Sequence, residues 1–538
     1  MAIKFSDITG GGIPFGNNAG RPANPATGKL YSNGEAQRLE LYTASGSWEN
    51  IVQEVPGVSS ISGNYSETTN SGVITIYGTN FVNGAYATAI GSNGVQVNAT
   101  STTYNSLVQL TATFTGLSNA LEPYDVKVTN PSNLFGLIPD ALYINASPVW
   151  QTASGSLGTF TEQVSITLSA LSATDSDSTV TYALASGSSL PSGVTLNSST
   201  GVISGTLPDV ISSTTYSFTI NATDGVNTIP RTFSITAVIP EFSGSGTLIT
   251  SDPTYFYRVF TNTGTLNIAN TSADVEAIIL GGGGGGGSSF GGGGGSGALV
   301  SMSTKVVSPG AYSIVVGEGA AQNAAAYDTR GLYGQDSSAF GITALGGGGG
   351  GAYSNAPTGN PGGCGGGASS SENSGALSGG ATTQQSQTGT TFYANRGGNS
   401  FGRSPYIGGG GGGTGAQGQD ITGGTTAGNG GNGTTAISSW LSVINSSMPT
   451  AWQTATSGGY IGGGGAAASY QFNNGSLPGS PGLGGGGTST GGDNVRGGNA
   501  VANTGSGGGG GGYPQGGGGA GGKGLVIIRY LKNKSINA

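Results

Sequence analysis

The chain has 538 residues, 110 of them glycine, and only 7% are Asp, Glu, Lys or Arg, against roughly 25% in an ordinary soluble domain. Histidine is absent and Cys364 is the one cysteine, which excludes Ser-His-Asp and Cys-His catalysis, an intrachain disulfide and a cysteine-clustered zinc site. A net charge of -8 without a basic run gives a phosphate backbone nothing extended to lie against, so nucleic acid is not an expected partner.

The start, Met1-Ala2-Ile3-Lys4-Phe5-Ser6-Asp7, lacks the apolar core of a signal peptide, and no stretch of 18 apolar residues occurs. The expectation is a chain made in a cytoplasm, without membrane insertion. Glycine divides the sequence, with 25 in residues 1–244 and 85 in residues 245–538. Charge divides a little further on, since residues 1–280 hold 18 acids and 7 bases, and 281–538 hold 6 acids and 9 bases.

Residues 1–55 contain two short apolar stretches flanking Asn33-Gly34, a strong hairpin signal. A lone hairpin is marginal in water, so this module is expected to attach to something larger. From 56 to 146 apolar residues alternate, as in Tyr124, Val126, Val128 and in Leu110, Ala112, Phe114, with turn residues about every ten positions. That is the pattern of a small β-sandwich. Residues 147–240 repeat it, with Phe218, Ile220, Ala222 and Phe233, Ile235, Ala237. Asp175, Asp177 and Asp224 in this second unit are candidate calcium ligands, calcium being an oxygen-seeking ion. Capping of turns by the same carboxylates is the favoured alternative.

Residues 245–538 hold eight runs of four or more glycines, beginning at Gly281, Gly291, Gly346, Gly408, Gly462, Gly484, Gly507 and Gly516. A flexible linker would not be bracketed by strand-like segments such as 275–280, 311–317 and 525–530. There is no Gly-X-Y period, so collagen is excluded. The runs are expected to be polyglycine II helices lying side by side and bonded laterally, because a buried backbone must pair its N–H and C=O groups. Ile437, Trp440, Leu441, Ile444 and Met448 fall at helical spacing before Pro449, predicting a short amphipathic helix with Trp440 in the core.

The catalytic motifs are weak. Gly522-Lys523 has Gly524 where a P-loop needs Ser or Thr, and a strand follows. Gly398-Asn399-Ser400-Phe401-Gly402 fits a nucleophile-elbow string without a base. A glycosidase needs two carboxylates, but Glu318, Asp328, Asp336, Glu372, Asp420 and Asp493 are scattered along the glycine-rich region. No enzyme is expected.

Three resemblances add to this reading. The stretch 55–145, with VSSISGNYSETTNSGVITIYGTNF and YDVKVTNP, resembles an IPT/TIG immunoglobulin-like domain. The next, with SGSSLPSGVTLNSSTGVISGTLP and INATDG, resembles the Putative Ig (cadherin-like) modules of large adhesins. The succession VEAIILGGGGGGG, KVVSPGAYSIVVGEG, GQDSSAFGITALGGGGGG and GGKGLVIIRYL resembles the glycine-rich domain at the receptor-binding ends of bacteriophage fibres. These resemblances imply an all-β virion protein on the particle exterior, released by lysis. An N-terminal module would dock on other virion proteins, two Ig-like sandwiches would act as spacers, and a polyglycine tip would bind a host surface glycan or outer-membrane protein. Carried over by position, the binding candidates are Tyr353, Phe392, Tyr393, Arg396, Phe401, Arg403, Tyr406, Tyr460, Tyr470 and Phe472, in the segments between runs. Rings beside small polar residues give contact area for little lost entropy; anchoring the loops to their own domain is the competing role. A homotrimer is common among fibres, though no heptad compels one. The alternative reading is an architectural head-decoration, collar or neck fibre protein.

Overall fold

The computed structural model describes residues 15–16, 19, 21–23, 25–33, 38–50, 54–324, 327–372, 375–402, 404–470 and 475–537. The turn expected after Asn33, and the binding candidates Arg403 and Phe472, lie outside the described residues. The described chain is almost entirely β-structure and divides into two compact units. One comprises residues 1–158, 165–207 and 216–235, the other 159–164, 208–215 and 236–538.

In the first unit the N-terminal strands Leu30–Asn33, Arg38–Tyr42 and Trp48–Asn50 pair antiparallel in succession. Trp48 gathers the rings of Tyr31 and Tyr42 at 5.6 and 5.4 Å. The Glu40 carboxylate is buried and takes both the Nε and Nη2 of Arg21, at 2.7 and 2.5 Å, a two-pronged pairing that offsets the cost of burying the charge.

The sandwich that follows stacks two sheets. One has the order Ser101–Ser106, Gln109–Thr115, Ser71–Thr79, Tyr65–Ser66, Ile144–Asn145, with Gly57–Ser62 also on Ser71–Thr79; the other runs Phe135–Leu142, Tyr124–Thr129, Tyr86–Ile90, Gln96–Asn98. The alternating residues read from the sequence, Leu110, Ala112, Phe114, Tyr124, Val126 and Val128, all enter the core between them. Polar neighbours such as Asp125 and Lys127 are only half-buried, because successive side chains on a strand leave on opposite faces, although Thr129 at the strand's end is buried as well. In the second sandwich Trp150 packs on Tyr182 and Phe233 at 5.6 and 5.5 Å, and its Nε1 donates to the Ile229 carbonyl at 2.9 Å.

Residues 145–147 join the two sandwiches around Asn227, which is buried. The Asn227 Nδ2 donates to the carbonyls of Asn145 and Ala146 at 2.9 and 2.8 Å. Its Oδ1 accepts from the Thr68 amide at 3.1 Å and from the Ser66 hydroxyl. Glu67 takes the Ser147 amide at 2.8 Å. Since these bonds cross from each sandwich to the connecting segment, the joint is held by named partners.

In the second unit a six-stranded antiparallel sheet has the order Thr247–Ile249, Tyr255–Phe260, Leu525–Leu531, Ala273–Leu280, Leu299–Val307, Thr390–Tyr393. Val526 and Ile528 face one core, shared with Phe242, Leu266, Ile268 and Ile314 of a second sheet. Leu525 and Ile527 face another, roofed by helices Ser438–Ile444 and Thr450–Thr456. The expected amphipathic helix is therefore present, and Trp440 is in the core. Pro449, with φ -59° and ψ 150°, closes this helical segment and opens the second helix, which residue spacing did not reveal. A proline is tolerated at a helix start, where its missing N–H costs no bond. The helical pair is inserted between Thr434 and Ile461, which bridge each other antiparallel.

The central strands run straight into polyglycine. Ala273–Leu280 continues as residues 281–287, turns at 288–290, and returns as 291–298 into Leu299–Val307. The amides of Gly282 and Gly285 donate to Gln335 and Leu332, those of Gly283 and Gly286 to Gly522 and Gly519, and those of Gly284 and Gly287 to Gly295 and Gly292, all at 2.8–3.0 Å. Each neighbour is thus addressed every third residue, as a three-residues-per-turn polyglycine II helix requires. The return segment repeats the rotation, since Gly292 and Gly295 donate to Gly351 and Gly348, while Gly294 and Gly297 donate to Gly508 and Gly505. The lateral bonding expected of the runs is what holds this lattice.

Packing this close leaves no room for a side chain. A Cβ on Gly349 would sit 1.8 Å from the Gly331 carbonyl oxygen, and one on Gly509 1.7 Å from that of Thr488. At the lattice margin side-chain amides replace missing neighbours: Asn429 Oδ1 accepts from the Ser480 amide at 2.7 Å, Asn432 Oδ1 from Leu483 at 3.0 Å, and Asn499 Oδ1 from Ala520 at 2.8 Å. Backbone donors that would otherwise go unpaired are satisfied in this way.

Candidate recognition surface

At the end of the lattice away from the six-stranded sheet, the glycine runs give out and an aromatic residue stands close to several of them. The run at 281–287 leads to Phe290, that at 346–351 to Tyr353, and that at 507–512 to Tyr513, while Tyr406 precedes the run at 408–413 and Tyr470 follows 462–469. These residues gather into one cluster. Phe290, 3% exposed, is stacked on Tyr406 at 5.5 Å, and meets Tyr353 and Tyr470 edge-on at 5.1 and 5.3 Å. Tyr327 completes the group, 6.4 Å from Tyr353 and 6.1 Å from Tyr513, and is 48% exposed.

The turns that present these rings adopt an unusual backbone. Ser289, Phe290, Asp328, Ser354 and Tyr406 all have φ between +48° and +64°, a left-handed region that costs an L-residue roughly 1–2 kcal/mol. Such conformations persist only where surrounding contacts over-determine them. Here the Ser288 hydroxyl is bonded to the Thr329 backbone at both its carbonyl and its amide, at 3.0 and 2.6 Å, and the Ser289 hydroxyl to the Pro514 carbonyl.

The rim is acidic. The Tyr353 hydroxyl donates to Glu372 Oε1 at 3.1 Å, and burial together with that carboxylate raises the tyrosine's pKa far above normal. Asp328 Oδ2 accepts the Asn355 amide at 2.8 Å, whereas its Oδ1 is buried without a partner. Burial pushes this carboxyl above the usual carboxylate range. Arg330 has its terminal nitrogens on Asn360 Oδ1 and Thr358 Oγ1, at 2.9 and 3.0 Å.

Of the binding candidates read from the sequence, Tyr353, Tyr406 and Tyr470 come together here. The others are elsewhere. Phe392 and Tyr393 lie on the edge strand of the six-stranded sheet, opposite Val300 and Leu299, and pack on its two cores. Arg396 makes a two-pronged bond to Asp420, at 2.7 and 2.6 Å, so its charge is satisfied within the domain. Phe401, 46% exposed, pairs through its backbone with Ala376. Tyr460 is half-buried near Gly458, after the second helix. Phe290, Tyr327 and Tyr513 were missed because only the segments after the run at 346–351 were read as loops: Tyr327 lies in the earlier stretch 296–345, while Phe290 and Tyr513 sit in short turns beside a glycine run, a position that was the signal available.

The calcium expectation requires correction. Asp224 Oδ1 accepts the amides of Val226 and Asn227 at 2.7 and 2.6 Å, Asp175 Oδ1 those of Asp177 and Ser178, and Asp177 Oδ2 that of Ala146. These are turn caps, and among the described residues no group of three or more Asp, Glu, Cys or His side chains is placed to hold a metal ion. Asp175 and Asp177 do adjoin each other, and burial with that neighbouring carboxyl raises the Asp175 pKa.

A β-sheet base extended into a hydrogen-bonded polyglycine lattice defines the class to which the second unit conforms. The chain belongs to the glycine-rich domain family, which matches residues 260–531. Residues 147–238 match a second family, the Putative Ig domain. No curated protein matches the chain. Among solved structures it is similar to the extracellular domain of protocadherin GammaB4 (14% identity, 40% of each chain covered, TM-score 0.18) and to an I-band fragment of titin (12% identity, 42% of this chain and 80% of that one, TM-score 0.21). It is also similar to the three N-terminal domains of the bacteriophage RB49 Highly Immunogenic Outer Capsid protein (10% identity, 42% of this chain and 75% of that one, TM-score 0.21). The chain thus spans well under half the length of the protocadherin structure. Likenesses of this size carry no argument about function. Among the described residues no helix is long and apolar enough to cross a membrane.

Proposed function

We propose that this chain is a bacteriophage virion structural protein, a fibre or adhesin that binds a host surface receptor through the turns at the far end of its glycine lattice. The observation that carries the reading is the convergence of Tyr327, Tyr353, Tyr406, Tyr470 and Tyr513 on one end of a rigid support. Tyrosines held by a fixed scaffold lose little freedom on contact, which suits recognition. The Ig-like sandwiches serve as spacers and the N-terminal module docks on other virion proteins at the particle exterior. The receptor is a surface glycan or an outer-membrane protein, and several copies on one particle, as in a homotrimer, raise effective concentration without new contacts. The role is binding and not catalysis.

The test is adhesion of the purified, fluorescently labelled full chain to intact bacteria, alongside its rebinding to phage particles that lack it. Saturable adhesion that a Tyr327→Ala, Tyr406→Ala double variant loses supports the reading. Decoration of particles with no adhesion to any permissive host overturns it in favour of an architectural protein.

A further inference from the structure

We infer that the tyrosine-rimmed end of the glycine lattice is a carbohydrate site for a neutral or amino-bearing sugar ring, with Tyr327 as the stacking platform and Asp328 as the hydrogen-bond acceptor. This rests on the adhesin reading and commits it to one receptor chemistry.

Three features select a sugar. First, Phe290 fills the centre of the cluster, so the described residues leave no open apolar hole at that centre into which a protein partner could insert an anchor. It presents tyrosine surfaces instead, Tyr327 exposed and Tyr406, Tyr470 and Tyr513 half-buried. A flat amphipathic ring with a hydroxyl at its edge matches the C–H face and hydroxyl rim of a pyranose. Second, Asp328 Oδ1 is shielded from solvent and has no partner. An ionised carboxylate is acceptor-only, and a buried one left unpaired is costly, so the site lacks a donor that a sugar hydroxyl or ammonium supplies.

Third, charge decides among sugars. Asp328 follows Tyr327 directly and accepts the Asn355 amide, while Glu372 accepts the Tyr353 hydroxyl, so two carboxylates stand at the rim. The terminal nitrogens of Arg330 are already committed. The two carboxylates disfavour an acidic sugar, whereas an amino sugar gains from the same charges.

The experiment is saturation-transfer NMR on the full chain with four free probes: the methyl glycosides of glucose, glucosamine, N-acetylglucosamine and glucuronic acid. Variants are Tyr327→Ala, Tyr327→Phe and Asp328→Asn, with Tyr143→Ala in the first sandwich as control and thermal melts confirming that each folds. Transfer to a neutral or amino glycoside is expected, with binding at least tenfold weaker in Tyr327→Ala and Asp328→Asn, retained in Tyr327→Phe, and unchanged in Tyr143→Ala. The inference is overturned by transfer to none of the probes, by glucuronide as the best ligand, or by variants that bind like the parent. If the chain adheres to cells, no sugar binds, and protease treatment of the cells removes adhesion, the sugar assignment falls while the adhesin reading stands on a protein receptor. Absence of both adhesion and sugar binding removes both.

Discussion

The rings of Phe290 and Tyr513 are stacked with centroids 4.6 Å apart and planes 1° from parallel, although the two residues are 223 positions apart in the chain. Tyr513 directly follows the last glycine of its run and Phe290 lies three residues past Gly287, and the two runs are direct neighbours, since the Gly508 and Gly511 amides donate to the Gly284 and Gly287 carbonyls at 2.9 Å. The stack therefore closes a path that the lattice has already set in register.

Replacing Phe290 tests how much the lattice depends on that closure. Phe290→Ala empties the centre of the cluster and is expected to cost about 3–5 kcal/mol. For a unit of this size that lowers the melting temperature by roughly 10 °C. Calorimetry on the full chain should show the loss in one transition; an unchanged thermogram would mean the rings are ornament on a self-sufficient lattice.

Two glycines separate lattice geometry from glycine content. A Cβ on Gly349 would meet the Gly331 carbonyl oxygen at 1.8 Å, whereas one on Gly285 finds nothing nearer than 3.4 Å. Gly349→Ala is expected to cost more than about 4 kcal/mol or to abolish folding, and Gly285→Ala to stay within about 1 kcal/mol of the parent. Thermal melts of equal shape for the two variants would contradict the packing described.

The Cys364 thiol is buried beside the Ser296 hydroxyl, 3.1 Å away, and burial pushes its pKa up to about 11. The thiolate is the reactive form. A colorimetric thiol reagent at mildly alkaline pH should therefore leave the native chain untouched and titrate one thiol in denaturant. Rapid labelling under native conditions would place the side chain elsewhere.

Asp328 supplies a pH dependence. Its folded pKa is raised by burial, so folding favours the protonated acid. Whatever stability this contributes is fully present below the unfolded value of about 3.9 and is lost as pH rises through the higher folded value. Asp328→Asn has no proton to lose, so it should melt higher than the parent at neutral pH but level with it below the unfolded value. A lower melting temperature under both conditions would show that the carboxylate is stabilised in a way the geometry does not reveal.

The sequence was most legible where side chains alternate. Leu110, Ala112 and Phe114 declared a buried face by period alone, and Trp440 declared a helix by spacing. The lateral pairing of glycine runs followed from the need to satisfy buried backbone, but which run neighbours which did not, because glycine carries no pattern to match. The same blindness hid the aromatic cluster. Phe392 and Tyr393 looked like loop aromatics and are strand residues on a sheet edge, while Phe290, set between two glycine runs, looked incidental and is the centre of the cluster. Arg396 and Asp420 are paired across 24 positions with no periodicity to link them.

The bridge between Thr434 and Ile461, with two whole helices inserted inside it, shows how little the lattice asks of what lies between its runs. Each run is gripped by its main chain and demands of its own residues only that they carry nothing. A lineage can lengthen, trim or exchange an intervening segment without rewriting the neighbours that support it. Variation between the runs is thereby uncoupled from the lattice that carries them, a freedom that a core built from interlocking side chains does not grant.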